Sequence, residues 1–149
     1  MKVYAKTATP AAISVLRQAT ALRPKRKKVS DGLLPSAAHR AASPNSDHDT
    51  GYAVDLTHDV KGGIDCVDLY HKLQGDKRVK YLIFQGKIWS AKGGETRYNG
   101  INAHDHHLHI SIKDGMGKDT SPWFPWLGKP TLVNKVKAKV KTLPKKETK

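Results

Sequence analysis

The stretch Ser46-Asp47-His48-Asp49-Thr50-Gly51-Tyr52-Ala53-Val54-Asp55-Leu56 decides how the rest of this 149-residue chain is read. Its pattern predicts a polar loop, a glycine turn and then a strand over residues 52–57. Successive strand side chains point to opposite faces. Val54 and Leu56 are therefore expected in a core, with Ala53, Asp55 and Thr57 on the other surface. The turn at Gly51 can fold His48 back beside Asp55. An imidazole and a carboxylate so placed are two of the three protein ligands that a catalytic zinc takes.

The third candidate lies in His104-Asp105-His106-His107-Leu108-His109-Ile110-Ser111-Ile112. From His107 onward the alternation is strict: His107, His109 and Ser111 share one face, and Leu108, Ile110 and Ile112 share the apolar one. If the two strands are neighbours, His48, Asp55 and His109 close three corners of a tetrahedron. The fourth corner stays open to water, as in catalytic rather than structural zinc sites.

The run S-x-H-x-x-G-x-A-x-D-L (Ser46 to Leu56), followed by an H-x-H strand (His107 to His109), resembles the zinc peptidases of bacterial cell-wall metabolism. That group spans D-Ala-D-Ala carboxypeptidases, L-alanyl-D-glutamate endopeptidases of phage lysins, and lysostaphin and hedgehog-like relatives. The resemblance covers roughly residues 30–113. It implies His48, Asp55 and His109 as zinc ligands and Ser46 as a contact for the peptide substrate. In the carboxypeptidase branch a glutamate stands three residues before the last ligand histidine; here that position is His106. The pattern His104, His107, His109 instead resembles the murein endopeptidases that lack the glutamate. In that reading His107 orients the attacking water or stabilises the tetrahedral intermediate, with His106 and Asp105 as further candidates for proton transfer.

Composition narrows the remaining classes. The length is that of one domain. Its one cysteine, Cys66, cannot form an intrachain disulfide and is expected as a small core residue on a helix. No run of about 18 apolar residues is present to span a membrane. The N-terminus has Lys2 but no apolar segment after it, so no secretory signal is expected. Delivery to the wall would then follow lysis, a helper pore or a virus particle. The net charge of +14 is concentrated at the ends. Residues 1–30 contribute eight positive charges, residues 129–149 a net seven, and the middle a net single negative charge. Basic ends attract polyanions, so an anionic wall polymer or membrane surface is a candidate partner, ahead of nucleic acid.

Around the two motifs the chain reads as alternating elements. Val3–Tyr4 suggest a short strand. Thr9 and Pro10 open a helix as N-cap and first residue, with Ile13, Leu16, Ala19 or Thr20, and Leu22 or Arg23 at the spacing of a buried stripe. Pro24 ends it, and Lys25-Arg26-Lys27-Lys28 reads as a solvated run. Residues 30–47 read as a loop forming one wall of the cleft, in which Arg40 can pair with a substrate carboxylate. His58 and Asp59 read as turn polarity. Residues 64–74 carry Ile64, Val67, Leu69 or Tyr70, and Leu73 at helical spacing. Two β-rich runs, 80–84 and 87–89, flank the hairpin signal Gln85-Gly86. Residues 90–103 read as a loop forming the opposite wall, with Tyr98 a candidate substrate contact. Ser121 to Leu127 is aromatic and interrupted by prolines, and reads as a staple holding the tail to the domain. From Thr131 onward, apolar residues and lysines suggest an amphipathic basic segment.

The expected fold is α+β: a small central antiparallel sheet carrying the zinc site, flanked by two or three helices. Residues 1–128 form this domain and 129–149 a basic tail. The expected function is zinc-dependent hydrolysis of peptide bonds in peptidoglycan by a monomeric, endolysin-type metallopeptidase. The alternatives are a metal-containing binding module of the same fold, and a basic nucleic-acid-binding protein.

Overall fold

A computed structural model describes residues 7–35, 46–100 and 104–128. The expectations for Val3–Tyr4, Arg40 and the basic tail fall outside those residues. The described chain is α+β, as the alternation of patterns predicts. Its elements are α1 (Pro10–Leu22), a 3-10 turn (Asp47–Thr50), β1 (Ala53–Thr57), α2 (Cys66–Lys72), a second 3-10 turn (Leu73–Gly75), β2 (Val79–Phe84), β3 (Lys87–Ser90), β4 (Gly94–Arg97) and β5 (His107–Ile112). The five strands form one antiparallel sheet in the order β1-β5-β2-β3-β4. None of the described helices is long and apolar enough to cross a membrane.

Side-chain alternation divides the sheet into two surfaces. Val54 and Leu56 of β1, Leu108, Ile110 and Ile112 of β5, and Val79, Leu82 and Phe84 of β2 all enter one apolar core. Both helices contribute to that core: Ala11, Ala12, Val15 and Ala19 from α1, and Cys66, Leu69 and Tyr70 from α2. The stripe expected on α1 is thus rotated. Ile13, Leu16 and Leu22 are only partly buried, and the small residues point inward. Alanines at the contact let a helix backbone lie close to its neighbour, and hydrophobicity alone does not register that. On α2, Val67 is 44 % exposed rather than buried.

Capping accounts for the helix boundaries. The Thr9 hydroxyl accepts from the Ala12 amide, and Pro10 takes the first helical position. The Asp65 carboxylate accepts from the Val67 and Asp68 amides at the start of α2. His58 adds to that cap, because its Nδ1 accepts from the Cys66 amide at 3.0 Å. Asp59 accepts from the amides of Lys27 and Gly62. His58 and Asp59 therefore serve the turn, as expected.

Two arginines are buried, and one of them, Arg26, departs from the solvated position expected for its run. Arg26 is only 4 % exposed and forms a two-pronged pair with Asp31, at 3.0 and 2.7 Å. Asp31 in turn accepts from the amide and hydroxyl of Thr57. Arg78 is buried as well: it pairs with Asp76, donates to the carbonyls of Asp119, Ser121 and Pro122, and lies 3.5 Å over the Trp123 ring. Trp123 is fully buried and donates its indole N–H to Ser14 of α1. The aromatic segment is thus stapled onto the domain, as its composition suggests. A further departure is β4, which occupies part of the stretch expected as loop. Gly94–Arg97 has no buried residue and pairs at the sheet edge with β3.

Candidate metal centre

The register of two strands builds the centre. Asp55 of β1 stands directly opposite His109 of β5, and Thr57 opposite His107. Both Asp55 and His109 therefore project from the non-core surface. His48 arrives from the 3-10 turn before β1. Ser46 caps that turn, its hydroxyl accepting from the His48 amide at 3.1 Å. Gly51 ends it at φ 81, where a Cβ would come within 2.9 Å of the Thr7 carbonyl oxygen. The Gly51 carbonyl accepts from both the amide and the hydroxyl of Thr9. The start of α1 thus clamps the turn that aims His48.

His48 Nε2 and His109 Nδ1 each lie 3.2 Å from the same Asp55 oxygen, Oδ1. The two imidazole rings meet edge to face, with centroids 4.9 Å apart. Donors at about 2.0–2.1 Å from zinc in a tetrahedron stand about 3.4 Å apart, so the spacing fits an ion between them. Hydrogen bonding gives a second, independent fit. His48 Nδ1 lies 2.6 Å from the Leu33 carbonyl oxygen, which can only accept, so Nδ1 carries the proton. A neutral His48 then turns its Nε2 lone pair toward a carboxylate oxygen. Two lone pairs repel, so the pair calls for a cation: a proton or a metal ion.

His109 is oriented by a longer chain. Its Nε2 lies 2.7 Å from the Ser111 hydroxyl, and Ser111 is fully buried. Tyr81 stands opposite Ser111 in the register of β2 against β5, and burial pushes its phenol up to about 12, so it stays protonated. When His109 Nδ1 faces a cation, Nε2 carries the proton and donates to the Ser111 hydroxyl. The Tyr81 ring stacks on His109 at 5.4 Å and 15°. Such partners fix tautomer and ring direction around metal-binding histidines.

Without an ion, protons take its place between the rings and the carboxylate. Burial would raise the Asp55 pKa, but hydrogen bonds from His109 and His48 then hold it far below the usual 3.8. Burial would lower His48, but the hydrogen bond and charge of Asp55 raise it above 6.5. His107 goes the other way. Burial lowers it below 6.5, and the more distant Asp55 charge does not compensate. Its Nε2 is 3.6 Å from the other Asp55 oxygen, Oδ2.

Of the residues singled out from the sequence, the fold brings together His48, Asp55, His104, His107 and His109. Each of His48, Asp55 and His109 offers a donor atom within 4.8 Å of the others, so the group is positioned to hold a metal ion. Asp105 and His106 are exposed in the bend before β5. Tyr98 is half-buried, its ring edge to face with His104 at 5.4 Å between centroids. Cys66 is fully buried in the core, where burial pushes its thiol up to about 12, so it offers no nucleophile. Sequence reasoning did not single out Tyr81 or the Leu33 carbonyl as the groups that orient the histidines. Of that outer set only Ser111 was legible, through its shared face with His107 and His109. The chain matches no protein-family profile, no characterised protein and no solved structure to which it was compared.

Proposed function

We propose that this protein is a zinc-dependent peptidase of the bacterial cell wall, cutting a peptide bond in the stem peptide or cross-link of peptidoglycan. The observation that carries the metal half of the reading is the convergence of His48 Nε2 and His109 Nδ1 on one oxygen of Asp55. Two imidazoles, one carboxylate and an open position are the donor set of catalytic zinc. The substrate half rests on the resemblance of residues 46–56 and 107–109 to cell-wall zinc peptidases. A zinc ion held there supplies a Lewis acid that polarises a carbonyl and acidifies water.

The chain's own residues would do the rest. His48, Asp55 and His109 bind the ion, and Leu33 and Ser111 hold the two rings in the tautomers that leave lone pairs facing it. His107 is the best-placed base. It is neutral at pH 7 because burial lowers its pKa, and it lies beside the ligand carboxylate. In this role Nε2 accepts a proton from the attacking water and returns it to the leaving amine nitrogen. Tyr98 would line the mouth and contact the substrate.

The test is mass spectrometry of fragments released from purified peptidoglycan by the zinc-loaded protein. Fragments ending at one defined bond are expected. Chelation or His48→Ala should abolish them by removing the ion, and His107→Ala should lower the rate at least 100-fold while the ion stays bound. A protein that holds zinc yet releases nothing from walls of several cross-link chemistries would overturn the enzyme reading. That result would favour a metal-holding binding module, the alternative suggested by His106 where the carboxypeptidase branch has glutamate.

A further inference from the structure

We infer that Asp55 is a bridging carboxylate, and that its second oxygen, with His104 and His107, forms a second site for a divalent zinc-like cation. Asp55 Oδ1 is committed to His48 and His109, whereas Oδ2 turns to His107 at 3.6 Å. Asp55, His104 and His107 each offer a donor atom, and these lie within 4.8 Å of one another. The His104 and His107 rings meet edge to face at 4.9 Å, and His104 also reaches His109 at 5.5 Å. All three residues are partly exposed, so an ion and its remaining water ligands have access.

The backbone holds His104 in place for this. Its φ is 59, a left-handed conformation uncommon outside glycine. Its carbonyl accepts from the amide of Gln85, which is itself at φ 49 in the β2–β3 turn. The turn between two strands of the sheet therefore pins the residue that completes the second donor set. A carboxylate that gives one oxygen to each of two ions holds them about 3.5–4 Å apart. With a single carboxylate between two dications, mutual repulsion makes the second ion the weaker one. Imidazole and carboxylate donors select zinc, cobalt or nickel over calcium or magnesium.

The inference shares Asp55 and His107 with the proposed hydrolase site. An ion on His107 Nε2 excludes its action as a base, so hydrolysis runs with this weaker site empty. The inference is tested by stoichiometry and needs no substrate. The metal-free full chain is titrated with Zn2+ by calorimetry and with Co2+ by visible absorption. The expected result is two equivalents, the second at least tenfold weaker. His104→Asn, chosen because asparagine tolerates left-handed backbone, should remove the second step and leave the first. His107→Gln should do the same, with circular dichroism confirming that each variant is folded. A single equivalent in the unaltered protein, or a second step that survives both substitutions, overturns the inference and leaves the first site standing. Failure to bind even one equivalent would overturn both readings.

Discussion

Strand β5 carries two halves of the molecule on its two faces. Leu108, Ile110 and Ile112 lie in the core with no more than 1 % exposure. One residue out of step, His107, His109 and Ser111 face Asp55 and its partners. The first face is held by apolar burial, which is non-directional and tolerant of small displacement. The second is held by directional hydrogen bonds among His48, Asp55, His109 and Ser111, which small displacements weaken. Folding strength and metal chemistry are therefore separable by side-chain parity within a single strand.

That separation can be broken most forcefully from the apolar side. Ile110→Ala removes a fully buried side chain between β1 and β2 and should cost about 2–5 kcal/mol of stability. Denaturant unfolding measures it, and zinc affinity of the molecules that remain folded should be little changed. A large loss of affinity with little loss of stability would show that the two faces are not independent. The complementary change is Ser111→Ala, which removes the acceptor of His109 Nε2–H. Zinc affinity should fall about 10–100-fold, as for other losses of a group that orients a metal-binding histidine. Competition with a chromogenic chelator reads this directly.

The smallest effect is in titration. In the metal-free protein, His48 should titrate above 6.5 and His107 below it, an order that NMR of the ring protons can read. Because a proton on His48 competes with the ion, zinc affinity should rise as pH rises through the raised His48 pKa. Asp55 acts at the acid end. Its folded pKa is depressed, so its contribution to stability is complete above 3.8 and is lost as pH falls toward the folded value. Loss of metal-free stability should therefore be visible on the acid limb, and a flat profile below pH 4 would contradict the Asp55 geometry.

Much of this was readable before any coordinates. Period-two alternation in residues 54–57 and 107–112 is unambiguous because apolar and polar types alternate without exception. It put Asp55 and His109 on their faces, and Gly51 signalled the turn that returns His48. What was not readable depends on partners distant in the chain. Arg26 looks like any residue of a basic run until Asp31, itself held by Thr57 of β1, is seen to receive it. Arg78 needs the carbonyls of residues 119–122, over forty positions away, and Trp123. β4 escaped because an edge strand exposed on both faces has no alternation to show. Tyr81 escaped because only the register of β2 against β5 sets it opposite Ser111 with its ring stacked on His109.

That register is irregular at one point, between Val79 and Tyr81, where Lys80 is the extra residue. Val79 and Tyr81 are two apart in sequence yet lie on opposite surfaces, so the bulge spends one residue to change phase. The strand therefore has a single place where its length can vary. Excising Lys80 would regularise the pleat and keep Val79 inward and Tyr81 over His109, losing chiefly the exposed ion pair with Asp47. Excising Leu82 instead would invert one side of the break relative to the other, setting a tyrosine hydroxyl in oil or an isoleucine in place of a core leucine. Shortening by one residue is thus benign or ruinous depending on which residue goes.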